Sequence, residues 1–202
     1  MYSKVSKSTI QRLPAYLRYL QTLNADENSN ISSAAIASAL SLNEVQVRKD
    51  LASVATAGRP RVGYNACDLM AQLKKYLGYD VRRNAVIVGA GKLGRALMDY
   101  SGFAGYGISI VAAFDKDKKI IESDERIFDI SRIESVCLEK KAEIGIITVP
   151  HEFAQEACDM LVKSGIRAVW NFAPAHIIVP DGVLVQNENM AASLAILSNH
   201  LS

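Results

Sequence analysis

The chain has 202 residues, half of them hydrophobic, and a formal net charge of +2, enough apolar material for one or two globular domains. No basic start followed by an apolar run opens it, and no stretch approaches the ~18 apolar residues of a membrane span, so a soluble, cytoplasmic protein without a membrane partner is expected. Cys67, Cys137 and Cys158 are odd in number and far apart, with no C-x-x-C or Cys/His cluster, which points to reduced core thiols and away from disulfides or a metal site.

The small net charge hides an asymmetry. Residues 1–83 carry 12 Lys and Arg against 6 Asp and Glu, net +6, whereas residues 84–202 carry 11 against 15, net −4. Such a split is expected where the first part meets a polyanion and the second does not.

In chain order, Ile10, Leu13, Leu17 and Leu20 recur at helical spacing, with Pro14 marking a first turn or a kink, and "NADENSN" then breaks the pattern. In "ISSAAIASALSLNEVQVRKDLASV", Ser32 or Ser33 caps a short helix carrying Ile36 and Leu40. A tight turn at Ser41 and Leu42 follows, and Asn43 caps a second helix carrying Val47, Leu51 and Val54. Two short helices joined by a tight turn make a helix-turn-helix. Gln46, Arg48 and Lys49 lie off the apolar stripe near the start of the second helix, where recognition helices meet bases and phosphates. Arginine reads guanine edges and lysine neutralises phosphate. The bland alternative is a solvated face on an ordinary helical pair. "AGRPRVGY" follows, with Gly58, Pro60 and Gly63 for a turn, Arg59 and Arg61 exposed and Tyr64 at its end, which reads as a basic wing. One more amphipathic helix, "NACDLMAQLKKYLGYD", carries Leu69, Leu73 and Leu77. A domain boundary near Val81 is expected, giving a winged-helix DNA-binding domain over residues 1–80.

"NAVIVGAGKLGRAL" then reads as a strand, a glycine-rich turn and the start of a helix. The turn Gly89, Ala90, Gly91, Lys92, Leu93, Gly94 has the G-x-G-x-x-G spacing that brings backbone close to a pyrophosphate at a helix N-terminus. The next strand, "ISIVAAFD", ends at Asp115, where the fingerprint places the acid that bonds ribose hydroxyls. That carboxylate favours NAD over NADP, although Lys116, Lys118 and Lys119 leave an opening for the latter. The alternative is a Rossmann-like domain whose glycines serve helix packing alone.

Beyond Asp115 helices are expected over residues 131–141 and 152–164, and strands at "EIGIITVP", "IRAVWNF" and "GVLVQN", forming a doubly wound parallel sheet over residues 81–188. Ligands bind at the carboxyl ends of such strands, so Thr148, Val149 and Pro150, and Asn171 and Phe172 of "NFAP", are expected to face the cofactor. An enzyme reading finds little support. His151 has Glu152 as neighbour, but adjacent helix residues do not face each other, His176 and His200 sit in unpromising settings, and no length remains for a substrate domain. From Asn189 to Ser202 no residue carries a formal charge, while Met190, Leu194, Ile196, Leu197 and Leu201 spread round a helix that must be buried. It packs on its own sheet or, as favoured here, inserts into a second subunit of a two-fold dimer.

With those residues in hand, the chain resembles the Rex family of redox-sensing transcriptional repressors through "RLPAYLRYL", "VQVRKDL", "RVGY", "VIVGAGKLGRAL", "AAFD", "TVPHEFAQ" and "NFAP" in order. The resemblance implies a homodimer of winged-helix and Rossmann domains with the terminal helix, residues 189–202, swapped into the partner. It also implies competition of NAD+ and NADH for one site and release of double-stranded operator DNA when NADH replaces NAD+. Arg18 and Tyr100 match the family's switch, where an aspartate from the partner's last helix pairs with one or the other. Here Asn189 stands in that position, and an amide cannot form the ion pair, which implies a coupling weakened or changed in sense. The wing departs too, with "PRVGY" for the family's "RGVGY". Two other readings stay open: a small NAD-dependent oxidoreductase with a fused helical domain, and a DNA-binding dimer that no longer senses NADH.

Overall fold

The structure is a computed structural model that describes residues 5–23, 29–56 and 58–199. The chain divides into two compact units, Met1–Val81 and Arg82–Ser202.

The first unit opens with α1 (Lys7–Thr22), capped by the Ser6 hydroxyl, which accepts from the Thr9 N–H at 3.1 Å. Pro14 lies inside this helix, beyond its first turn. After β1 (Asn30–Ile31) comes α2 (Ser33–Ala39), whose cap is Ser32. Ser41 takes a left-handed φ of 54°, and the Leu42 N–H reaches back to the Ala37 carbonyl at 2.8 Å, which closes the turn. Asn43 then caps α3 (Glu44–Val54) by accepting from the Gln46 N–H. β2 (Tyr64–Asn65) pairs antiparallel with β1, and Arg59 and Gly63 close a short hairpin ahead of it. Gly63, at φ 89°, passes so close to Ile31 that a Cβ would strike its carbonyl. α4 (Ala66–Leu77) is capped by Asn65 and ends at Gly78 in the left-handed region. Leu13, Leu20, Ile36, Val47, Leu51, Leu69 and Leu73 form the core on which all four helices converge. Each such side chain contributes about 1.5–3 kcal/mol on burial. The β1–β2 pair was invisible in the sequence because two residues carry no alternation. Residues 24–28 of the polar break lie outside the described residues.

The second unit runs β3 (Arg83–Val88), α5 (Lys92–Met98), β4 (Ile108–Asp115), α6 (Lys118–Ile121), β5 (Ile127–Asp129) and α7 (Ile133–Glu139). It continues with β6 (Ala142–Ile147), α8 (Ala154–Lys163), β7 (Ala168–Asn171), β8 (Leu184–Asn187) and α9 (Met190–Asn199). The strands form one all-parallel sheet in the order β5-β4-β3-β6-β7-β8. Strand order reverses between β3 and β6, the crevice where doubly wound sheets bind ligands. Along β3, Val86 and Val88 pack into one apolar cluster, and Ala85 and Ile87 into another, as a central strand covered on both faces requires. The expected helix over residues 152–164 is split into a 3-10 turn at His151–Phe153 and then α8, and a 3-10 turn at Ile130–Arg132 precedes α7. β5 is a three-residue edge strand, too short to show a period.

α9 departs from its own fold. Met190, Leu194, Ile196 and Leu197 are 58–68% exposed, and no residue of the helix is buried. Of the two burials expected, packing against its own sheet is not what the chain does. His200 and Leu201 lie outside the described residues.

Candidate functional site

The three fingerprint glycines have three different reasons to lack a side chain. Gly89, at φ 100°, follows β3 in a conformation L-residues avoid. A Cβ on Gly94 would run into the Gly89 carbonyl oxygen, so this glycine lets α5 pack against the strand end. Gly91 has an ordinary φ of −69° and nothing within 4 Å of an added Cβ. Neither a positive φ nor a close neighbour demands glycine there; it is the N-cap of α5, a position glycine favours, with open space beside it. Close packing accounts for Gly94, whereas Gly91 has no neighbour within 4 Å of an added Cβ. Thr148, just past β6, locks the crevice by donating its hydroxyl to the Gly89 carbonyl at 2.6 Å.

A cavity of about 400 Å3 opens beside this turn. Gly89, Gly91, Asp115, Lys116, Thr148, Val149 and Pro150 line it, together with Phe114, Ile130, Phe153, Glu156, Ala157 and Met160. The second group went unnoticed in the sequence because it carries no motif until the fold brings the end of β4, the two 3-10 turns and α8 together. Asp115 accepts from the Ala90 N–H on one oxygen and from the Lys116 and Asp117 N–H groups on the other, each at 2.8–3.0 Å. The Lys116 ammonium sits 3.9 Å from the centroid of the Phe153 ring. Ala90 is fully buried and Gly94 packs inward, while Lys92 is exposed and Leu93 half-buried on α5. Asn171, also fully buried, bonds the Ala175 carbonyl, the Asn187 side chain and the Ala173 N–H, and so fixes the chain leaving β7. Phe172 packs against Trp170. Among the described residues, Asn171 and Phe172 support the crevice from one side and do not line this cavity.

On α3, Arg48 and Lys49 are exposed, as are Arg59 and Arg61 in the hairpin, with Tyr64 half-buried at its root. Arg61 takes a left-handed φ of 63° at the hairpin tip. Gln46 is exposed too, but its amide donates to Asp50 at 2.9 Å.

Asp50 is the residue sequence reading missed. It is 2% exposed and takes bonds from Thr9, Arg12, Tyr16 and Gln46, with Arg12 bidentate at 2.7 and 2.9 Å. Burial alone would raise its pKa; the bonds from Arg12, Tyr16, Gln46 and Thr9 outweigh that and hold it at about 2. Burial, then the bond to Asp50, pushes Tyr16 up to about 12. The signal available was Arg12 and Tyr16, at helical spacing on α1, facing an acid on the next long helix.

Of the remaining candidates, Arg18 is exposed on α1 and Tyr100 is 59% exposed after α5. Asn189 caps α9, its side-chain oxygen accepting from the Ala192 N–H at 2.8 Å. His151 and Glu152 do meet, Nδ1 to Oε2 at 3.0 Å, although they are adjacent in a 3-10 turn; both are solvent-exposed. Among the described residues, no cluster of three or more His, Cys, Asp or Glu could hold a metal, and no helix is long and apolar enough to cross a membrane.

Two families match the chain: "Putative DNA-binding protein N-terminus" over residues 4–52 and "CoA binding domain" over residues 80–175. The redox-sensing transcriptional repressor Rex of Porphyromonas gingivalis is 40% identical over 98% of this chain and 93% of its own length. The chain belongs to the Rex family. The Rex protein of Treponema denticola is 41% identical over 94% of this chain and 91% of its own. Among solved structures, the Rex-family repressor RSP in complex with beta-NAD+ and operator DNA matches at TM-score 0.91 and 34% identity, covering 98% of this chain and 93% of that one. RSP in complex with beta-NADH matches at 0.84 and 35%, covering 98% and 95%.

Proposed function

We propose that the chain is a redox-sensing transcriptional repressor that binds operator DNA as a homodimer and lets go when NADH takes the place of NAD+. The observation that carries this reading is Gly91: a glycine at the N-cap of α5 with no packing neighbour and no positive φ to require it, lining a cavity in a chain that also holds a helix-turn-helix with a basic wing. A related repressor crystallised with operator DNA and NAD+, and again with NADH, supports the same pairing of functions.

The helix-turn-helix unit reads DNA through α3, with Arg48 and Lys49 on bases and phosphates and Arg59, Arg61 and Tyr64 on the wing. In the second unit, the open N-terminus of α5 at Gly91 receives the pyrophosphate, and Asp115 receives the ribose hydroxyls. A 2′-phosphate would meet the Asp115 carboxylate, while Lys116 is occupied over Phe153, so NAD is preferred to NADP. The nicotinamide supplies the redox state; no hydride transfer is needed, and the surface pair His151–Glu152 offers no buried acid or base for one. α9 carries its apolar residues into a second copy, since its own unit leaves them exposed. Arg18, Tyr100 and Asn189 form the switch, in which Asn189 acts through hydrogen bonds because it lacks the charge. Such a repressor works in the cytoplasm, beside the DNA.

The test separates sensing from DNA binding. NADH added to the protein–operator complex releases DNA from the wild type but not from Gly91→Val, and both bind operator equally without ligand. Equal release from the two proteins would place the dinucleotide elsewhere.

A further inference from the structure

Gln46 and Asp50 stand four residues apart on α3, one turn above the other on the same face. Gln46 lies in the first turn, where its own N–H is held by Asn43, and first-turn side chains are those that reach base edges. Asp50 Oδ1 accepts from Thr9 at 3.0 Å, from Arg12 Nη2 at 2.9 Å and from Gln46 Nε2 at 2.9 Å; Oδ2 accepts from Arg12 Nε and Tyr16 at 2.7 Å each.

A carboxylate paired with a guanidinium can accept but not donate, so it selects which end of the Gln46 amide turns inward: the NH2. One of the two N–H bonds is thereby used. What remains outside is the carbonyl Oε1 beside the second N–H, an acceptor next to a donor. Adenine presents the complement in the major groove, an N6 donor beside the N7 acceptor, whereas guanine presents two acceptors, one of which would face Oε1. An untethered glutamine could flip its amide to suit either surrounding; this one is held.

We infer that Asp50, as a positioning residue, fixes the amide of Gln46 so that it reads one adenine in each half-site through the major groove. The inference rests on the proposed DNA-binding role of α3. It also explains why an acid is tolerated on a helix that approaches phosphates: Arg12 balances the charge, and the oxygens point into the unit.

The experiment is operator selection from random duplex DNA with the full-length wild type, Gln46→Ala and Asp50→Asn, followed by affinity measurements at fixed salt. Wild-type sites carry a fixed adenine in each half, and replacing it by guanine weakens binding about 5- to 150-fold. Gln46→Ala, a change at an exposed side chain, folds normally and accepts any base there. Asp50→Asn, checked by circular dichroism, relaxes the same position, and the double variant relaxes it no further. Should Asp50→Asn fail to fold, 15N NMR of the free wild type decides the tether: one Gln46 side-chain proton exchanges more slowly than its twin. A wild type that selects sites whose base preferences survive Gln46→Ala overturns the inference and leaves the DNA-binding role standing. So does a folded Asp50→Asn that keeps the adenine, or two Gln46 protons that exchange alike. A wild type that selects no site overturns that role as well.

Discussion

Asp50 in the first unit and Asp115 in the second are both aspartates with both oxygens engaged, yet by different kinds of partner. Asp50 is buried and bonded to side chains from α1 and from its own helix, so its partners are lost if it is removed. Asp115 is half-buried at a cavity wall and bonded to three backbone N–H groups, which keep their place through the chain. The Asp50 carboxylate fastens α1 to α3; the Asp115 carboxylate fixes the turn after β4 to the glycine-rich turn.

Asp50→Ala breaks that comparison most severely. It leaves the Arg12 guanidinium, the Tyr16 hydroxyl and the Thr9 hydroxyl without their acceptor, and should cost the first unit about 3–5 kcal/mol in a urea titration. Asp115→Ala should cost clearly less, and similar losses from the two would undo the distinction.

Gly91→Val comes next. With no atom near its Cβ, the loss of stability should stay near the cost of a poorer N-cap on α5, about 1 kcal/mol. NADH affinity should fall about 100-fold or more, roughly 3 kcal/mol by calorimetry. A matching drop in melting temperature would mean that Gly91 serves the fold.

Acid sharpens the contrast further. The Asp50 pKa is about 2 in the folded unit, below the unfolded value of about 3.9, so the ionised form is favoured by folding. That stability, about 2 kcal/mol, is complete above pH ~4 and drains away as pH falls toward ~2. The chemical denaturation midpoint followed against pH should show it in wild type and not in Asp50→Asn.

The smallest effects fall on the exposed cations of α3. Arg48→Ala should weaken operator binding by about 1–3 kcal/mol and relax one base position, whereas Lys49→Ala should lower the salt slope by about 1 without changing specificity. A reversed pattern in DNA-binding titrations would exchange the two roles.

What the sequence disclosed and what it withheld have physical causes. The caps at Ser32 and Asn43 are local chemistry, one side chain and a backbone N–H three residues on, and so could be read directly. The six parallel strands announced themselves by apolar runs except β5, three residues long at the sheet edge. The glycine spacing marked the turn, but which glycine is held by packing and which stands in open space required the surroundings of each. The Asp50 cluster joins residues 34 to 41 positions apart as well as a neighbour on its own helix, and no window along the chain contains it. The His151–Glu152 contact runs against the expectation that neighbours in a helix do not face each other, because two long exposed side chains can bend toward one another whatever the spacing of their Cα atoms.

The central claim is that one chain couples a dinucleotide's redox state to DNA. Its most direct test is binding of the purified protein to a selected two-fold-symmetric operator at fixed salt, with no ligand, with NAD+ and with NADH. Tight binding is expected in the first two conditions and release in the third; equal binding in all three would rule out redox coupling.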